Sequence, residues 1–276
     1  MPRRKITSAD RKLKQGRGQG HGEKYKPFLT VREVPSRGLS HRIKGWTTRR
    51  VHHFLSNLEK NYFYLLDWSS LVVDIREQFP LPIEDTMMIS ERLGVRHPTN
   101  PKTKESTIMT TDFLVDLLSE ERTVMVARSV KMSQDLGSKR VLEKLEIERT
   151  YWAERKVDWG IVTELDIPKA MAEYVEWVHS SADIRNLPGL TPQIISQAEE
   201  ALYGLINENP RESLAHAALA IDHALGLNAG SGLWVVRHLI ASGRWTVDMT
   251  KAVATDKPLR VARVAGAMII KRGQSA

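Results

Sequence analysis

Cysteine is absent from this 276-residue chain, which rules out a disulfide framework and any thiolate zinc site. No apolar run approaches the roughly 20 residues that a bilayer-spanning helix needs. The N-terminus lacks the apolar core of a secretory signal, so the expected location is the cytoplasm. Nine histidines are present, yet none falls in an H-E-x-x-H or comparable ligand spacing. The glycines of "GRGQGHG" (16–22) follow no strand and lead into no Gly-Lys-Ser/Thr, which leaves a flexible segment rather than a phosphate loop. A Gly-x-Ser-x-Gly nucleophile elbow is also missing. Acid is scarce at one end: residues 1–24 hold eight Lys/Arg against two Asp/Glu, which is +6 of the chain's net +8. That imbalance predicts a flexible basic arm over 1–25, with Arg3, Arg4, Lys5, Arg11, Lys12, Lys14 and Arg17 meeting the phosphates of DNA. A merely solubilising tail is the plainer alternative.

What is there divides in two. "FLTVREVP" and "SHRIKGWTTRRVHHFLS" read as short strands and turns. The patterning then predicts a helix over 56–67, a strand over 70–81, a helix over 84–94 and strands over 109–118 and 122–131. A charged helix over 138–154 and a strand over 157–164 follow. Beyond about 167 strands give way to helices, over 167–179, 192–206, 211–224 and 230–242. Mixed elements followed by a helix-rich half imply two domains, joined near 165.

Within the first half, "IMTTDFLVDLL" (108–118) puts Asp112 in a strand that is apolar on both sides. A buried carboxylate there costs several kcal/mol unless a cation pairs with it. Alternation on the next strand places Met125, Ala127, Ser129 and Lys131 on one face, and a short connection makes the two strands antiparallel neighbours. Asp112 and Lys131 then lie near one end of a sheet, in the outline of a PD-(D/E)xK nuclease core. Such a core holds hard divalent cations through carboxylate oxygen, while the lysine steadies developing charge. A plain Asp–Lys ion pair fits the same pattern. Two further acids could join. Glu59 lies in the first turn of helix 56–67, where Ser56-x-x-Glu59 equally matches a capping box. Glu148 shares an inward stripe with Val141, Leu145 and Trp152, where it needs a partner such as Lys131 or serves as an ordinary buried ion pair.

The strings "GRGQGHGEKYKPFLTVREVPSRGLSHRI" (16–43), "RVHHFLSNLE" (50–59), "DIREQFPL" (74–81), "TTDFLVD" (110–116) and "LEKLEIERTYW" (142–152) resemble the TnsA family. TnsA proteins are the endonuclease subunits of heteromeric cut-and-paste transposases, CRISPR-associated ones included. The resemblance implies a restriction-endonuclease-like (PD-(D/E)xK) α/β nuclease domain over 26–165. It implies catalytic roles for Glu59, Asp112, Lys131 and Glu148, with Glu59, Asp112 and Ser129 as metal ligands. Two magnesium ions are expected, with manganese able to substitute. The implied reaction is cleavage of the non-transferred (5′) strands at bacterial transposon ends. A TnsB-type transposase would cut the other strands. Ser129 departs from the family pattern, which has glutamine there. A weak neutral hydroxyl keeps open a second reading, an architectural subunit with a weakened site. An RNase H-like set of Asp74, Asp112 and Glu148 is a third reading, which would leave Lys131 idle.

The second half, 166–276, reads as a mainly helical winged-helix-like domain. Helix 211–224, a turn at "LGLNAGSG" and helix 230–242 precede a wing formed by "GRWTVDM" and "LRVARV". Helix 230–242 offers only Arg237 and His238 to a nucleic acid, which is poor for base reading. A protein-interaction module is therefore expected, and the resemblance implies contact with a TnsC-type ATPase regulator.

Overall fold

The computed structural model describes residues 8–33, 39–101, 103–120, 122–187 and 189–264. Two compact units make up the chain, residues 1–167 and 168–276. No helix among the described residues is long and apolar enough to cross a membrane.

The first unit is built on a four-stranded mixed sheet. Its strands are β3 (Val72–Pro80), β4 (Thr110–Ser119), β5 (Arg122–Val130) and β6 (Asp158–Val162), in spatial order β3-β4-β5-β6. A hairpin, β1 (His41–Lys44) with β2 (Val51–Phe54), precedes the helix α2 (Asn57–Trp68). The α3 helix (Ile83–Arg92) connects β3 to β4, and α4 (Lys139–Glu154) connects β5 to β6. The β3–β4 and β4–β5 pairs are antiparallel; β5 and β6 are parallel, which is why a helical crossover must join them. Apolar residues on both sides of β4 need cover on both faces. Leu114 and Ala127 pack with Ile89, Ile147, Tyr151 and Trp152 beneath α3 and α4. Phe113 points the other way and stacks on Phe54, whose ring lies 4.6 Å from that of Phe63 on α2. Under the hairpin, Glu77 is fully buried and accepts from Arg50 and His52.

The free basic arm does not extend through residues 8–25. Residues Ser8–Lys14 form a helix, α1, and the glycine-rich stretch after it folds against β3. Gly16, Gly18, Gly20 and Gly22 all take positive φ, a conformation that side chains resist. Gly18 lies so close to Pro80 that a Cβ would stand 2.2 Å from its ring. Gly22 N–H donates to Asp74 Oδ1 at 3.1 Å, and the buried Tyr25 hydroxyl donates to the Glu77 carbonyl at 3.1 Å. Glycine-richness here serves tight packing, not freedom. Lys12 and Arg17 are drawn to Glu33, whereas Arg11 and Lys14 remain exposed. Arg3, Arg4 and Lys5 lie outside the described residues. The stretch 28–33, read as short strand and turn, contains the turn at 31–33 but no strand, and is joined to β3 through Phe28 N–H and the Gln78 carbonyl.

The second unit holds α5 (Lys169–His179), α6 (Pro192–Glu208), α7 (Leu214–Ala224), α8 (Ser231–Ala241) and a short antiparallel ribbon, β7 (Trp245–Thr246) with β8 (Ala262–Arg263). The α7–α8 junction is close. A Cβ on Gly232 would stand 2.5 Å from the Ala218 carbonyl oxygen, so only glycine fits. With Gly230 at the N-cap, the buried Asp222 caps α8 instead, accepting from Gly230 N–H at 2.7 Å and Gly232 N–H at 2.6 Å. Buried Glu199 accepts from Trp245 Nε1 at 3.0 Å and pairs with Arg244, fixing the ribbon to α6.

Candidate active site

Asp112 occupies β4 near one end of the sheet, beside the last residues of β5. One carboxylate oxygen, Oδ2, accepts from Lys131 Nζ at 2.6 Å and from Val130 N–H at 2.8 Å. The cation demanded by a carboxylate in that apolar strand is therefore Lys131. Burial opposes the charge on Lys131, but Asp112 more than offsets it and raises the ammonium pKa. Lys131 Nζ also donates to the Val130 carbonyl at 2.9 Å, leaving one of its three N–H groups unspent.

Two residues before Lys131, the buried Ser129 hydroxyl donates to Glu148 Oε1 at 2.6 Å. Glu148 projects inward from α4 and also accepts from Thr111, whose own oxygen accepts from Trp152 Nε1 at 2.7 Å. The inward stripe of α4 thus delivers Glu148 to the sheet, although its hydrogen-bonded partners are Ser129 and Thr111. Lys131 acts on it only through space. Burial first, and Asp112 second, push the Glu148 carboxyl up to about 7.

Glu59 forms the capping box and lies in the acid cluster as well. The Ser56 side chain accepts from Glu59 N–H at 3.1 Å, while the Glu59 carboxylate accepts from Leu55 N–H and the Ser56 hydroxyl, both at 3.0 Å. It is also buried close enough to Asp112 that burial and then Asp112's charge push it up to about 7. The five residues expected from sequence therefore share one neighbourhood. Its acids outnumber its cations, with Glu59, Asp112 and Glu148 set against Lys131. Buried oxygen donors with uncompensated negative charge are what a hard divalent cation requires.

Sequence reasoning missed Gln78. This buried residue of β3 has φ +51° and donates from Nε2 to Asp112 Oδ1 at 3.4 Å. It lies inside "DIREQFPL", but nothing in that string signals a left-handed dihedral. The RNase H-like set is not assembled. Asp74 pairs across the strands with Asp116, four residues along β4 from Asp112, and Arg76 binds both acids. His21, Asp74 and Asp116 form a separate group with potential ligand atoms within 4.8 Å of one another, already served by that arginine.

A family model described as TnsA-like endonuclease N terminal matches residues 69–164, and one described as TnsA endonuclease C terminal matches 166–249. Asp112, Ser129, Lys131 and Glu148 fall within the first match; Glu59 lies just ahead of it. The chain is 38% identical over 247 residues to the Escherichia coli protein "Transposon Tn7 transposition protein TnsA", a span covering 90% of this chain and 88% of that relative.

Proposed function

This chain belongs to the TnsA endonuclease family, and we propose that it cuts the non-transferred (5′) strands at transposon ends, using magnesium held by Glu59, Asp112 and Ser129, with Glu148 and Lys131 as their catalytic partners. As a family member it is an endonuclease subunit of a transposase. The observation that carries the finer reading is the gathering of three buried carboxylates at one end of the sheet, where Asp112 pairs with Lys131 and Glu59 and Glu148 act on that lysine through space. Bound there, the divalent ions would lower the pKa of the attacking water and neutralise charge on the phosphoryl oxygens.

The side chains divide the remaining work. Asp112 and Glu59 supply oxygen ligands, with the lone pairs of Ser129 available beside them. Ser129 and Thr111 hold Glu148 in one orientation through hydrogen bonds that favour its charged form. Lys131 is fixed by Asp112 and the Val130 carbonyl, so its remaining N–H can steady the nucleophile or the developing phosphoryl charge. The partners proposed are transposon-end DNA, a TnsB-type transposase and a TnsC-type ATPase regulator.

The test is strand-specific mapping on transposon-end DNA with the partner transposase and magnesium. Asp112→Ala should abolish non-transferred-strand cleavage while transferred-strand nicks persist. Normal cutting of both strands by that variant would overturn the assignment.

A further inference from the structure

Asp112 has only one oxygen left to offer a cation. Its Oδ2 is spent on Lys131 Nζ and Val130 N–H, which leaves Oδ1. The group standing over Oδ1 is the Gln78 carboxamide, with Nε2 at 3.4 Å. Its other end, Oε1, accepts from the Thr110 hydroxyl at 3.1 Å. Gln78 is only 2% exposed. Its backbone sits at φ +51° within a strand, which costs a residue other than glycine about 1 kcal/mol or more. Glycine would occupy the position without strain, so the side chain is what the position has been given in exchange.

We propose that Gln78 supplies a neutral oxygen ligand to the cation held on Asp112 Oδ1, by turning its carboxamide over. This rests on the nuclease reading above. An N–H donor cannot face the same space as a divalent ion, so the amide must rotate and present Oε1. The rotation strands no group. Thr110 Oγ, a donor to Oε1 before the turn, accepts from Nε2 after it, because a hydroxyl does either. Carboxamide oxygen is a proper hard-cation donor. Ser129 donates its hydrogen to Glu148 at 2.6 Å and keeps its lone pairs, so Gln78 would add an oxygen beside it rather than replace it.

Calorimetric titration of the full chain with Mn2+, in the absence of DNA, tests this. Gln78→Gly relieves the positive φ while losing the bonds to Asp112 and Thr110, so in chelator it should remain folded and melt near the wild-type temperature. Its Mn2+ affinity should fall about tenfold, the loss typical of removing a residue that supports a metal site. Gln78→Glu keeps an oxygen but loses the N–H donor, and should bind Mn2+ at least as tightly as wild type. Wild-type affinity in Gln78→Gly would overturn the proposal. So would Gln78→Glu binding as weakly as Gln78→Gly, because the amide would then act only as a donor to Asp112. Asp112→Ala separates the two levels: it should lose Mn2+ binding whatever Gln78 does. If it binds normally, the nuclease site itself is wrongly placed.

Discussion

Glu148 is a carboxylate that struggles to stay charged without a cation beside it. Burial and Asp112 raise it from 4.5 to about 7, so between those values the folded protein holds a proton that the unfolded chain releases. Its contribution to stability is thus full below pH 4.5 and is lost as pH rises through 7. Glu148→Gln never carries the charge. In chelator it should therefore match wild type near pH 5 and exceed it at pH 8 by about 2 kcal/mol, while DNA cleavage is lost. Denaturant titrations at the two pH values check this, and equal stabilities at pH 8 would remove Glu148 from the acid cluster. At this scale sequence patterning was informative where a side chain's direction alone mattered. Period-2 alternation put Asp112 and Lys131 together, and the helical stripe turned Glu148 inward. It misjudged Glu148's hydrogen-bond partners, because Ser129, Thr111 and Lys131 all lie within reach and only the packed geometry chooses among them. It could not find Gln78, whose place depends on a backbone dihedral that the residue type disfavours.

The first turn of α2 carries Glu59, one of the proposed metal ligands. Ser56 and Glu59 cap the helix reciprocally, and the Glu59 carboxylate additionally reaches Leu55 N–H. The cap aims the same carboxylate at Asp112. Glu59→Gln keeps one carbonyl acceptor and loses the second oxygen, which costs about 1 kcal/mol. It also removes a charge that burial and Asp112 disfavour, so the two effects oppose each other. The expected outcome is a melting temperature close to wild type at pH 8 and a large loss in cleavage rate. Wild-type cleavage would reduce Glu59 to a cap. Elements were legible where periodicity ran long: the helices at 57–68, 139–154 and 192–208 and the strands β3 to β6 lie close to their expected ranges. The N-terminal stretch was not. Its glycines look like a flexible tether in sequence, and only the close approach to Pro80 and Asp74 shows them to be packing devices.

Charge is divided unequally along the whole molecule. Residues 168–276 carry eleven Lys/Arg and ten Asp/Glu, leaving +7 of the net +8 to residues 1–167. The two compact units divide between residues 167 and 168; the switch from mixed strands and helices to a helix-rich half, on which the expected junction near 165 rested, is a long-range pattern. Within the second unit, the polar side chains that α8 could have offered to DNA are already engaged. Arg237 donates to the Trp177 carbonyl at 2.6 Å and to Ser180 Oγ at 3.0 Å. His238 is buried against the Ser181 carbonyl at 2.8 Å and stacks on Trp234. A recognition helix needs free donors and acceptors for base edges, and this one has committed its own. Trp234 stays half-buried on α8, an aromatic of the kind that anchors protein interfaces. A fragment of residues 168–276 should therefore bind the ATPase regulator and hold duplex DNA only weakly. With so small a net charge its DNA affinity should vary little with salt, whereas the full chain's should fall steeply. Titrating the fragment separately with the ATPase and with transposon-end duplex, at two salt concentrations, decides the matter. Tight, sequence-specific binding to the duplex would make the second unit the end-recognition module, and the contacts of Arg237 would then have to open to reach the bases.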